Sequence, residues 1–269
     1  MEDYLILEIP TFKPEYKRCK RYNGTVWYGY QNTKEKGNLQ EVLRKSSKGF
    51  CMYCYTRIYL QGRLYGHLEH AIEKNNSEQL IECIPDIGIA CPVCNESLKK
   101  IGEKKRKLSK QQIEEFEDKS NCSKGKRKQC SVPCKALKKL QKAYHDNEDA
   151  KIILQPMGVK GKNNKENLKV QYDVLKSQFQ PAVATHTYEK EDYEFIEEHI
   201  ARFRLNDVQY QPCKLMDFVK NVIDSNGIIP IYEYNNLVVE LFAEKLKYKN
   251  TEEILKICET IYLAGFLSA

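Results

Sequence analysis

The chain has 269 residues, a hydrophobic fraction of 41% and a formal net charge of +7. That is enough apolar material for a packed core and too much for a disordered tether. No apolar run approaches the ~20 residues of a membrane-spanning helix. Met1-Glu-Asp-Tyr reads without the basic and apolar stretches of an export signal, so a cytoplasmic chain with no membrane partner is expected.

The charge is uneven. Residues 97–143 carry 16 Lys/Arg against 5 Asp/Glu, whereas residues 191–269 carry 8 against 14. A basic middle suits a polyanion such as nucleic acid, and an acidic end suits a different partner. Eleven cysteines without an export signal read as metal ligands and free thiols, not disulfides. Composition divides the chain into an N-terminal region (1–47), a cysteine-framed core (48–103), a basic helical lobe (104–150) and a mixed, then helical, C-terminal region (151–269).

In chain order, 5–9 and 25–30 read as short strands, with Trp27 as a packing aromatic. A helix follows Asn38, with Leu39, Val42 and Leu43 on one face. Residues 55–60 and 64–70 read as a hairpin turned at Gln61-Gly62-Arg63. An apolar stretch, 87–90, then leads into Cys91, and a helix starting near Pro92 places Asn95 and Lys99 four apart on one face. Ser109-Lys-Gln-Gln112 is a capping-box pattern opening a helix to 119, and Pro133 starts another to about 145. Strands are expected at 151–154, 168–172 and 182–188. Helices follow at 192–203, 214–223, 235–248 and 254–267, the last capped by Asn250-Thr-Glu-Glu253 and apolar on most faces.

Cys51-x-x-Cys54 and Cys91-x-x-Cys94 carry the strongest chemical signal. Two such pairs supply four thiolates to one tetrahedral Zn²⁺. Between them lies Gly66-His67-Leu68-Glu69-His70, and Asn95 follows the last cysteine. A structural zinc thus frames a site rich in oxygen and nitrogen donors. Cys122, Cys130 and Cys134 allow a second zinc or free thiols; an unbroken helix over 134–145 puts His145 about 16 Å from Cys134, too far to share an ion.

Together, Cys51-x-x-Cys54, His67-Leu-Glu-His70 and Cys91-x-x-Cys94-Asn95 resemble the HNH (ββα-metal) endonucleases. The likeness is closest to the zinc-clamped subunits of Septu-type and retron anti-phage systems, and it covers about residues 39–100. It implies an α+β fold, a zinc-clamped ββα-metal core with mostly helical flanks, and metal-dependent hydrolysis of DNA phosphodiesters. It implies a protein partner, an ABC-type ATPase. His70 matches the general base, Glu69 the acidic ligand of a catalytic Mg²⁺ or Mn²⁺, and Asn95 the metal ligand on the helix. Asp86 stands where the middle asparagine of the motif falls, with Asn75 and Asn76 as nearby substitutes, and a backbone carbonyl or the Asp86 side chain is expected to orient His70. Lys99, Lys104, Lys105, Arg106 and Lys107 are expected to meet phosphates. The alternative from another class is a zinc-dependent nucleic-acid-binding or scaffold protein with an inactive nuclease centre.

Overall fold

The computed structural model describes residues 2–16, 34–120, 132–162, 166–207, 215–231 and 233–268. The expected strand at 25–30, Trp27, Cys122 and Cys130 lie outside these. The chain opens with one helical turn, α1 (Glu2–Leu5), and a strand, β1 (Ile6–Glu8). β1 pairs antiparallel with β6 (Val170–Asp173), Ile6 opposite Asp173, and β6 pairs with β7 (Gln178–Pro181). Of the three strands expected after 150, the middle one stands. Residues 151–154 form no ladder, because the Ile153 N–H goes to His199 Nδ1 at 3.1 Å. The third strand comes earlier than its sequence pattern placed it. Asp173 Oδ1 accepts from the N–H groups of Leu175 and Lys176, closing a tight turn directly after β6.

Helix α2 (Lys34–Ser46) delivers the chain to the cysteine-framed region. The expected hairpin shrinks to β2 (Tyr59–Leu60) and β3 (Arg63–Leu64). Gln61 and Gly62 both have positive φ, 47° and 78°, the pairing that a tight two-residue hairpin turn requires. β4 (His67–His70) does not continue that hairpin. It pairs antiparallel with β5 (Ile87–Ala90), His70 opposite Ile87 and His67 opposite Ala90. Gly66 is the break: a Cβ there would sit 2.5 Å from Ile58 Cδ1. β5 is buried along its whole length, so it shows none of the alternation that marks a half-exposed strand. Residues 71–86 run between the strands in 3-10 turns that bury Ile72, Leu80 and Ile84. After β5 comes a six-residue π-helix, Val93–Leu98, instead of the expected α-helix; the Lys99 N–H reaches the Cys94 carbonyl.

α3 (Lys110–Lys119) starts at Ser109 with both halves of the capping box in place. α4 (Lys135–His145) buries Leu137, Leu140 and Tyr144. The acidic end forms α5 (Lys190–Arg202), α6 (Leu215–Asp224), α7 (Leu237–Leu246) and α8 (Thr251–Ser268). α8 packs on α6 and buries Ile254, Ile257, Cys258 and Ile261 in the chain's own core, while Leu263 stays exposed. Residues from all four compositional stretches join one continuous core of this mixed α/β chain.

Candidate metal centre and the histidine beside it

The two cysteine pairs converge. Cys51 and Cys54 lie on a turn closed by the Cys51 N–H to the Thr56 carbonyl, 2.8 Å, and by the Tyr55 N–H to the Cys51 carbonyl, 3.0 Å. Tyr55 takes a left-handed φ of 64° to make it. The Met52 N–H bonds the Ile89 carbonyl, which ties this turn to β5 and hence to Cys91 at its end. All four sulfur atoms lie within 4.8 Å of one another, and Cys54 Sγ is 3.7 Å from Cys91 Sγ. A tetrahedral Zn²⁺ with bonds of ~2.3 Å requires sulfurs about 3.8 Å apart, whereas a disulfide needs ~2.05 Å. The quartet therefore fits a zinc ion. The Cys94 N–H points at Cys91 Sγ, 3.4 Å, as suits a thiolate. Burial pushes the Cys51 thiol up, and the neighbouring sulfurs push Cys94 up while pulling Cys91 down. A dication relieves that crowding by holding all four as thiolates.

β4 presents Glu69 and His70 to opposite sides, as strand alternation demands. His70 is half-buried, and its Nε2 lies 3.3 Å from the Ile81 carbonyl. A carbonyl only accepts, so Nε2 carries the proton and the imidazole lone pair is on Nδ1. Burial lowers the His70 pKa to about 4, so the ring is neutral at neutral pH. The backbone carbonyl expected as an acceptor for this ring is present. The Asp86 carboxylate is turned elsewhere: fully buried, it accepts the Ile72 N–H at 3.0 Å and braces the loop just after His70. Its catalytic contact with His70 is thereby corrected to a supporting one.

Glu69 faces inward at 2% exposure. Tyr53 Oη donates to its Oε2 at 2.6 Å, and Lys99 Nζ donates to its Oε1. Lys99, itself 3% exposed, also donates to the carbonyls of His70 and Ala71. Burial pushes the Glu69 carboxyl above its usual range, opposed by the Lys99 ammonium and the Tyr53 hydroxyl. Both carboxylate oxygens are thus engaged, and the cation they face is an ammonium. A divalent metal on Glu69 does not fit this arrangement. Asn95 sits half-exposed on the π-helix beside the cysteines; nearby, His67 Nδ1 and Glu96 Oε1 form an exposed pair at 2.8 Å.

Two of the five expected phosphate contacts are interior. Lys99 is the ammonium just described. Arg106 is fully buried, its guanidinium shared between Glu73 Oε1, the Lys99 carbonyl and the Ile101 carbonyl. Both turn inward because a buried carboxylate and main-chain carbonyls await them. Lys104, Lys105 and Lys107 remain exposed, and α4 adds an exposed face of Lys135, Lys138, Lys139 and Lys142. Cys134 caps α4 through Sγ, accepting the Leu137 N–H, and His145 bonds the Ile152 carbonyl instead. Tyr53, Glu73 and Tyr144 carry the buried network, yet no spacing singled them out. The only sequence signal for Tyr53 and Glu73 is nearness to the cysteine and histidine motifs, whereas Tyr144 shares a helical face with Leu137 and Leu140.

The fold and the quartet define a mixed α/β protein with a four-cysteine centre able to hold zinc. No protein-family model, curated protein or solved structure matches the chain. Among the described residues, no helix is long and apolar enough to cross a membrane.

Proposed function

We propose that the chain is an HNH-type endonuclease in which His70 activates water against a DNA phosphodiester. The observation that supports it is the His70 ring: neutral, with Nε2–H held on the Ile81 carbonyl, it carries its basic lone pair on Nδ1. A general base needs that state of the ring at the pH where it works. The pairing of β4 with β5, which puts His67 opposite Ala90 next to Cys91 and His70 opposite Ile87, followed by the helical turn that bears Asn95, supports the ββα reading. When bound, zinc supplies structure there: it clamps the turn before β2 to the end of β5 and fixes the frame in which His70 stands. The exposed lysines of 104–107 and α4 supply sequence-independent attraction to the backbone. On this reading the chain works beside an ABC-type ATPase.

The test is cleavage of supercoiled plasmid by zinc-loaded protein with Mg²⁺ or Mn²⁺ added, compared with His70→Ala. The variant should lose about 10²–10⁴ in rate while keeping its zinc and its DNA affinity. Full cutting by His70→Ala, with contaminating nuclease excluded, would sink the reading.

A second reading is a zinc-dependent nucleic-acid-binding or scaffold protein whose nuclease centre is silent. The burial of Glu69 against Lys99 favours it, because the acidic ligand that the resemblance assigns to a catalytic metal is already neutralised. The same plasmid assay separates the two: wild-type protein that binds DNA without cutting it under any added metal selects the second.

A further inference from the structure

The resemblance gives Glu69 a divalent metal, and the structure gives it a lysine. We infer that the Lys99 ammonium is the resident cation of this centre, occupying a site of protein oxygens that would otherwise take a divalent ion. The site is a built one. Nζ is surrounded by three oxygens of three different groups: the Glu69 carboxylate, the His70 carbonyl and the Ala71 carbonyl. Each is a hard donor of the type that divalent cations select. The Glu69 and Lys99 side chains are 3% and 4% exposed. Tyr53 Oη holds the second Glu69 oxygen, so the carboxylate cannot swing out to fetch an ion from solvent. The Lys99 end is fixed as firmly: its own carbonyl accepts from the buried Arg106 guanidinium.

Two functional consequences follow from the placement. An ammonium bound covalently to the chain is not removed by chelators, so the geometry at β4 survives metal stripping as long as the cysteine quartet keeps its zinc. The same ammonium grips the carbonyls of His70 and of the next residue, which fixes the strand end from which the imidazole projects. Lys99 is therefore a positioning residue for His70. This inference concerns what occupies the site and holds whether or not the centre cleaves nucleic acid.

The experiment measures Mn²⁺ by electron paramagnetic resonance and calorimetry on zinc-loaded protein. The inference expects wild type and Glu69→Gln to bind the same number of Mn²⁺ ions. It expects Lys99→Met, which removes the ammonium and keeps the bulk, to gain one ion that Glu69→Gln/Lys99→Met lacks, and Mn²⁺ to raise the melting temperature of Lys99→Met but not of wild type. Should Lys99→Met fail to fold without metal, its rescue by Mn²⁺ during refolding reports the same site, and the uncharged double variant is the folded control. A wild-type protein that binds one Mn²⁺ lost in Glu69→Gln overturns the inference, as does a Lys99→Met protein that gains no ion and no stability. A His70 readout separates positioning from simple structure: the ring Nε2–H resonance, held on the Ile81 carbonyl, should shift in Lys99→Met and return with diamagnetic Mg²⁺.

Discussion

The cysteine-framed region and the acidic helical end are held together by opposite means. Between residues 50 and 106 the strands are two to four residues long, and the interior contains Glu69, Asp86, Lys99 and Arg106. Between residues 190 and 268 helices of 10 to 18 residues pack Phe218, Val222, Phe242, Leu246 and Ile257 with little charge among them. Short strands bury too little apolar surface to fix themselves, and a buried ion pair is at best a weak stabiliser. The helical end can rely on the hydrophobic effect; the cysteine-framed region adds to its buried apolar side chains a quartet of thiols able to hold a metal ion. The lesson is that one core can contain two kinds of cohesion, with different sensitivities to metal, pH and truncation of side chains.

The largest effect should come from zinc. Cys91→Ser, or chelation strong enough to strip the quartet, removes folding free energy on the order of 10 kcal/mol. Amide exchange should then show β4, β5 and the 71–86 segment opening while α6 and α8 keep their protection. Uniform loss of protection across both regions would break the comparison. Next comes a core truncation in the helical end. Phe242 is fully buried and stacks edge-on with Phe218, ring centroids 6.1 Å apart. Phe242→Ala should cost about 3–5 kcal/mol in denaturant unfolding, with zinc content and its release by chelator unchanged.

Acid should act on both regions at once. Burial lowers His70 and His145 to about 4 and His199 to about 3. Each binds fewer protons in the folded chain than in the unfolded one, whose histidines titrate near 6.5. Their contribution is therefore complete above about pH 6.5 and is lost as pH falls toward the folded values. His199 stands at the join, taking the Ile153 N–H and tilted 4.8 Å from Phe203, which stacks on Tyr53. His199→Gln keeps an acceptor and removes one titrating group, so its melting temperature should fall less steeply than wild type between pH 6.5 and 4.

The smallest effect is the one on Asp86. Its second oxygen is buried without a hydrogen-bond partner, and burial raises its pKa well above the ordinary value. A raised carboxyl contributes stability at low pH that is lost as pH rises through the folded pKa. Asp86→Asn retains an acceptor for the Ile72 N–H and carries no charge. Relative to wild type its stability should improve with rising pH, by on the order of 1 kcal/mol at pH 7.5, and its plasmid cutting should match wild type.

The cysteine quartet was legible because paired C-x-x-C spacing depends on local turns that any fold must respect. The helices after 190 were legible for a related reason: their apolar period and caps, such as Asn250, are local. Strand pairing was not legible. Residues 55–60 and 64–70 look like a hairpin, and the true partner of β4 is a wholly buried strand across 16 residues of 3-10 turns. Nor was the direction of Lys99 and Arg106 legible. Lysine and arginine in a basic stretch read as surface, and only the buried carboxylates of Glu69 and Glu73, placed by distant pairing, reverse that. The proposed HNH chemistry rests on the motif and on the His70 tautomer.

One feature of the cysteine turn bears on how the chain is made. The Arg57 N–H bonds the Asn235 carbonyl, Tyr55 accepts the Leu237 N–H, and Arg57 pairs with Glu240, 183 residues further along. The first cysteine pair therefore leaves the ribosome long before the segment that closes over it. At ~5–20 residues per second, that wait is roughly 10–40 s. During it the second cysteine pair has also emerged, so zinc can be captured first and the helical end can dock onto a metal-loaded turn. A zinc ion held by the quartet would then act before the helical end closes over the turn.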